Sequence, residues 1–307
     1  MSWLKTKITA VLREKKNAAT PLKAMMEDVL IEYAKRRDNG HLRVHDRNGE
    51  GVLFGIRKNA AVNKQTQAFE LSCSRKTFDE KDEEAFSRGL FNQKRVMIGK
   101  SEAIFISYEA PLLRRFRGHG GGVCKLDLVA LTADDLWAIE YKQTSNPVTS
   151  ARFGVLEALA YGFLLALHLR DSNEDVHRQI EKCKKERGPF PVSTLLKASA
   201  VKFAIAAPPA FYRKDFCTNE RLRLTAAISK LASEYADDAS NLFRLNLSFG
   251  GFLVVGHDDT QLAGEPLSDK TNDVITRFNP SLTAVPVFSD IGDLHASINN
   301  NDFRTQT

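Results

Sequence analysis

The chain has 307 residues, enough for a large core, with 43% hydrophobic and 27% charged residues, a composition that excludes a disordered chain. Its four cysteines, Cys73, Cys124, Cys183 and Cys217, form no CxxC pair, which argues against structural zinc or a disulfide framework and for a reducing compartment. The formal net charge of +6 is concentrated at one end: residues 1–100 carry 21 Lys and Arg against 13 Asp and Glu. A basic end on a nearly neutral body suggests a polyanionic partner, although a solvated basic surface reads the same way. The opening MSWLKTKITAVLREKK is broken by lysines too early for a signal-peptide core, and the most apolar run, Ala158 to Leu167, is too short to span a bilayer. The expectation is a cytoplasmic protein with no membrane association.

In chain order, residues 20–37 place Leu22, Met25, Met26, Val29, Leu30 and Tyr33 near helical spacing. HLRVHDRNGEGVLFGIRK reads as a hairpin turning at Asn48-Gly49, and AFELSC (68–73) as a third strand. An acid-rich first turn then starts a helix over 79–92. Strands follow at 103–109, 123–131 and 136–142, then a helix at about 149–170 and a strand at 201–206 stopped by Pro208-Pro209. A helix at about 219–236 and a strand at 242–255 come after. The segment beyond Gly256 is polar and weakly patterned. This gives three regions: a basic α+β module at 1–76, a core with additions at 77–256, and a partly irregular polar tail at 257–307.

The stretch LDLVALTADDLWAIEYKQ (126–143) sets Asp127, Glu140 and Lys142 within or beside two apolar runs, where charge is costly unless paired or bound to an ion. Pairing the runs around the loop 132–135 puts Leu131 opposite Leu136, Val129 opposite Ala138 and Asp127 opposite Glu140. Strand alternation adds Lys142 to the same face. Two carboxylates so close repel, and a divalent cation such as Mg²⁺, which takes one or two carboxylates with waters and phosphate oxygens, would relieve them. A one-residue slip would turn Asp127 to the other face. The plain alternative is a solvated hairpin end carrying a Glu–Lys pair.

Asp127 followed by Glu140-Tyr141-Lys142, on a strand pair leading into a helix, resembles the PD-(D/E)xK nuclease superfamily of restriction-endonuclease-like and RecB-like enzymes. The order of elements over 77–207 is similar to that family's αβββαβ core; Leu126 stands where the motif's name has proline. The resemblance implies an α/β fold, a mixed sheet flanked by helices, with the N-terminal α+β module added. It implies a Mg²⁺-dependent nuclease, with Mn²⁺ as a substitute, hydrolysing DNA phosphodiester bonds. Asp127 and Glu140 would hold the metal with the backbone carbonyl of Tyr141, and Lys142 would orient the attacking water or neutralise charge on the phosphate. Glu83 and Glu109 are further candidate metal ligands, against roles as a helix-start acid and a strand-end residue.

RRFRGHGGG (114–122) has no GK[ST], so it is no P-loop, but Arg114, Arg115 and Arg117 beside a glycine run are candidate phosphate contacts. Some family members carry a QxxxY element on the helix after the strand pair. Here Glu157 and Tyr161 hold that spacing, with Glu in place of Gln where a carboxylate would repel phosphate; Tyr161 joins the candidate nucleic-acid contacts. His41 and His45 read as surface residues of a strand, and Phe153, Leu156, Ala160, Phe163, Leu164 and Leu167 as a core-packing stripe. The other readings of the whole are a nucleic-acid-binding protein on an inactive nuclease fold and a protein–protein adaptor. The sequence leaves oligomeric state open, a dimer included.

Overall fold

The structure, a computed structural model, describes residues 3–14, 19–38, 87, 91, 95–98, 101–113, 124–142, 150–171, 173–188, 190–192, 196, 200–207, 211, 248–255 and 282–284. Its elements are helices α1 (Trp3–Arg13), α2 (Ala19–Asp38), α3 (Ala151–Asp171) and α4 (Asn173–Arg187). The strands are β1 (Arg95–Ile98), β2 (Ser101–Leu113), β3 (Cys124–Leu131), β4 (Leu136–Tyr141), β5 (Val201–Ala207), β6 (Ser248–Val255) and β7 (Leu282–Ala284). The result is a mixed α/β fold.

The seven strands form one sheet in chain order. β1 to β4 run antiparallel, β4–β5–β6 are parallel, and β7 returns antiparallel. β1 and β7, at opposite ends of the order, contact each other, so the sheet curls. A parallel neighbour needs a crossover connection. Between β4 and β5 that connection contains α3 and α4, and α3 packs on both strands.

Alternation along the strands divides the core in two. Val129, Leu131, Leu136, Ala138, Phe203 and Ile205 face the cluster that includes α3. Leu128, Ala130, Trp137, Ile139, Tyr141, Ala204 and Ala206 belong to a second cluster on the other face, with Phe91. Every residue of β4 is buried, as expected of an inner strand covered on both sides. By the same alternation, Glu140 lies on the α3 face with Leu136 and Ala138.

The helices close the first face. Ser150 caps α3: its Oγ accepts the Phe153 amide at 3.2 Å and its carbonyl accepts the Gly154 amide at 3.0 Å. α3 has the length and composition of a membrane span, more than the short Ala158–Leu167 run suggested, yet it is almost wholly buried inside the fold. α3 lies close to β5: a Cβ added at Gly162 would sit 2.9 Å from Phe203 Cβ. Leu4, Ile8 and Val11 of α1 and Leu22, Met25, Met26, Val29 and Tyr33 of α2 join the same cluster as α3. Lys7 pairs with Asp28 at 2.6 Å, and the Tyr33 hydroxyl donates to the Leu167 carbonyl at 3.2 Å. The described part of the expected N-terminal module therefore shares its core with the helix beside the candidate site.

Several elements are additions to the sequence reading: α1, α4, β1 and β7. Of the helix expected at 79–92, Ser87 and Phe91 are described, both helical. The hairpin over 41–58 with His41 and His45, the strand at 68–73 and the helix at 219–236 lie outside the described residues.

Candidate active site

The β3–β4 hairpin is built on the expected loop. Thr132 N–H donates to the Asp135 carbonyl at 2.9 Å, and Asp135 N–H donates back to Thr132 Oγ1 at 3.0 Å. The register runs Leu131↔Leu136, Ala130↔Trp137, Val129↔Ala138 and Leu128↔Ile139. Two of those pairs were anticipated from the sequence. Lys202, at the start of β5, holds the loop through Asp135 at 2.6 Å and lies over the Trp137 ring.

The next pair in that register is Asp127 with Glu140, and here the geometry departs from a simple ladder. The Tyr141 amide donates to Asp127 Oδ2 at 2.9 Å, so the side chain of Asp127 binds the opposite backbone. The following amide, of Lys142, donates to the Ala206 carbonyl on β5 at 2.9 Å. Glu140-Tyr141-Lys142 is thus pinned from both neighbouring strands. The Tyr141 ring packs in the second cluster, on the face away from α3.

On the α3 face, Glu140 is 4% exposed and Lys142 3%. Lys142 Nζ lies 2.7 Å from Glu140 Oε1 and 2.9 Å from Glu157 Oε2. The Tyr161 hydroxyl donates to Glu157 Oε1 at 3.2 Å. Gly154, one turn before Glu157, lets the lysine stem pass: a Cβ there would be 3.4 Å from Lys142 Cγ and 3.3 Å from Ile205 Cδ1. The other oxygen of Glu140, Oε2, is buried and has no hydrogen-bond partner among the described residues.

Burial pushes the Glu140 carboxyl well above its usual range; the Asp127 charge pushes it further, and Lys142 acts against both. Burial also raises the Tyr161 phenol, with Glu157 and Glu140 adding to the effect, so Tyr161 stays a protonated donor. Asp127 and Glu157 both disfavour a charge on Glu140, and Lys142 favours it. A carboxylate oxygen buried without a donor is costly unless a cation or a proton meets it. That oxygen, beside the Asp127 charge, fits a divalent cation. Among the described residues, no three His, Cys, Asp or Glu side chains converge as a complete metal-ligand group.

The residues expected at the site divide as follows. Asp127, Glu140, Tyr141 and Lys142 come together. Tyr161 is near them, but at 7% exposure with its hydroxyl on Glu157, it faces the buried acids. Glu109 belongs to β2 by its backbone; its side chain is not among those described. Glu83, Arg114, Arg115 and Arg117 lie outside the described residues. What sequence reasoning missed is the contact of Glu157 with Lys142. The signal for it was present: Glu157 is the sole Asp, Glu, Lys or Arg between Phe153 and Leu169, in a helix otherwise built for the core.

No family model, curated protein or solved structure matches the chain.

Proposed function

We propose that the protein is a metal-dependent nuclease that hydrolyses DNA phosphodiester bonds, on a restriction-endonuclease-like αβββαβ core. The observation that carries this reading is the unpartnered Oε2 of Glu140, buried beside Asp127 and next to Lys142 at the ends of two paired strands. A hairpin end with a solvated Glu–Lys pair would not bury both members to 4% and 3% exposure. The order β2–β3–β4–α3–β5, with α4 inserted before β5, is also similar to that of the family the sequence resembles.

Asp127 and Glu140 would hold Mg²⁺, or Mn²⁺, together with the Tyr141 carbonyl. When bound, the ion supplies a water of lowered pKa and stabilises charge on the scissile phosphate. The chain's own part is positional and electrostatic. Asp127 fixes the Tyr141 amide, which sets the backbone between the two acidic positions. Lys142 places a fixed positive charge where negative charge develops on the phosphoryl oxygens. Water attacks phosphorus and gives up a proton, the bond to the leaving oxygen breaks, and that oxygen takes up a proton in its turn.

The reading is tested by cleavage of a panel of single- and double-stranded DNA and RNA with Mg²⁺, Mn²⁺ or EDTA. Cleavage of DNA that EDTA abolishes and Asp127→Asn reduces at least about a hundredfold is the expected result. Binding without cleavage under every metal condition would favour instead a nucleic-acid-binding protein on an inactive nuclease fold. The tight Lys142–Glu140 pair is the feature such a protein would retain.

A further inference from the structure

Lys142 has two carboxylates at its ammonium, and they are not equivalent. Glu140 has one oxygen on Lys142 and one without a partner; Glu157 has one oxygen on Lys142 and the other on Tyr161. We propose that Glu157, backed by Tyr161, is a positioning residue that holds the Lys142 ammonium in place when the Glu140 carboxylate is taken up by a cation. The proposal rests on the nuclease reading for the event that occupies Glu140; the contact of Glu157 with Lys142 does not depend on it.

The physical need is plain. An ammonium on a lysine that is 3% exposed is costly without an anionic partner. A cation arriving at Glu140 would draw that carboxylate's charge away from Lys142 and repel Nζ as well. Without Glu157, loss of the Glu140 contact would weaken the hold on the ammonium when its charge is required. Glu157 supplies the second anchor from a different element, so it is not displaced with the strand.

The α3 face is shaped for this task. Gly154, Glu157 and Tyr161 follow one another at helical spacings of three and four, one above the next. The lysine stem crosses the helix at Gly154, within 3.4 Å of where a Cβ would stand, and so reaches Glu157 one turn on. The Tyr161 hydroxyl then fixes the far oxygen of Glu157. In the family's QxxxY element Glu is a departure from Gln; here the carboxylate supplies the negative charge that a lysine anchor needs and an amide lacks.

The test follows the Lys142 ammonium directly, by ¹H–¹⁵N NMR on the full-length protein, with the resonance assigned by its loss in Lys142→Met. Glu140→Gln removes one anchor without changing shape and stands in for occupation of that carboxylate. The resonance is expected to persist in Glu140→Gln and in Glu157→Gln, and to be lost at neutral pH in the double variant. Its loss in Glu140→Gln alone, or its persistence in the double variant, would overturn the proposal. Should the double variant not fold, Tyr161→Phe in the Glu140→Gln background replaces it. Faster ammonium exchange with solvent supports the role of Tyr161 and Glu157, and an unchanged rate contradicts it.

Addition of Mg²⁺ separates the two readings. In Glu157→Gln, the resonance should be lost as Mg²⁺ is titrated in, while the wild type keeps it. If Mg²⁺ alters neither protein, the nuclease reading fails, and the hold of Glu157 on Lys142 stands on the Glu140→Gln comparison. Where cleavage is measurable, Glu157→Gln should lower kcat and leave KM for DNA unchanged, the pattern of a group that acts in the transition state through another.

Discussion

Asp127 accepts the backbone amide of Tyr141 at 2.9 Å, so the carboxylate that would hold a cation also completes the strand pairing. The two roles can be separated. Asn at 127 keeps an acceptor oxygen and removes the charge that pushes Glu140 upward. Asp127→Asn should therefore leave the metal-free protein as stable as the wild type, or more so. Asp127→Ala deprives the amide of its acceptor and should cost on the order of 1 kcal/mol. Urea unfolding of both variants checks the order.

Glu140 makes a prediction about pH. Its folded-state pKa is raised above the unfolded value, mainly by burial and then by Asp127. The folded state thus holds its proton to higher pH than the unfolded chain does. The stability this provides is fully present below the unfolded pKa, about 4.3, and is lost as pH rises through the folded value. Glu140→Gln stays neutral throughout and should lack this loss. Its stability relative to wild type should increase across that rise, which unfolding curves at a series of pH values would read.

The two close approaches of α3 should respond differently to a methyl group. At Gly162 the added carbon would meet Phe203 Cβ at 2.9 Å, the base of a side chain on β5 that cannot swing aside. Gly162→Ala should cost about 1–3 kcal/mol through overpacking. At Gly154 the nearest atoms are Ile205 Cδ1 and Lys142 Cγ at 3.3 and 3.4 Å, both on side chains able to shift by tenths of an ångström. Gly154→Ala should cost less stability but displace the Lys142 stem, so under the nuclease reading its effect falls on turnover. Parallel measurement of Tm and cleavage in the two variants distinguishes them.

The basic N-terminal region cannot be tested cleanly by deletion, since α1 and α2 supply Leu4, Ile8, Val29 and Tyr33 to the core around α3. Arg13, Lys23 and Lys35 are exposed and can be changed without touching that core. If this surface binds nucleic-acid phosphates, replacing all three by Gln should weaken binding across all sequences. The dependence of log K on log salt should flatten by about 0.9 for each phosphate that is no longer neutralised. A slope equal to that of the wild type would move the footprint elsewhere.

Much of the central fold was legible because its signals are local. The apolar runs around Thr132–Asp135 defined β3 and β4 and their register, and the stripe from Phe153 to Leu167 defined α3. α1 was hidden by its lysines, although Leu4, Ile8 and Val11 mark one buried face. α4 is strongly charged, and among its described side chains Val176, Gln179 and Ile180 are the buried ones. β1 and β7, at four and three residues, are too short for a period to emerge. Within the site, strand alternation brought Asp127, Glu140 and Lys142 together in advance. The bond from Tyr141 to Asp127 and the contact between Lys142 and Glu157 depend on how a strand end leaves its ladder and where a helix lands on it. Glu157 stands out as a lone charge in an apolar stretch, but no spacing in the sequence fixes its partner or the Tyr141–Asp127 bond.

Under the proposed function, Asp127 and Glu140 form a cation site at which Lys142 acts without being a ligand. The most direct measurement is the shift in Tm on adding Mg²⁺ to the wild type, Asp127→Asn and Lys142→Ala, with DNA cleavage followed in parallel. A ligand that binds only the folded state stabilises it by about 2.7 kcal/mol at a hundred times its Kd. The expected result is a Mg²⁺-dependent rise in the wild type that is largely lost in Asp127→Asn and retained in Lys142→Ala, with cleavage lost in both variants. Mg²⁺-dependent stabilisation and cleavage at wild-type levels in Asp127→Asn would contradict it.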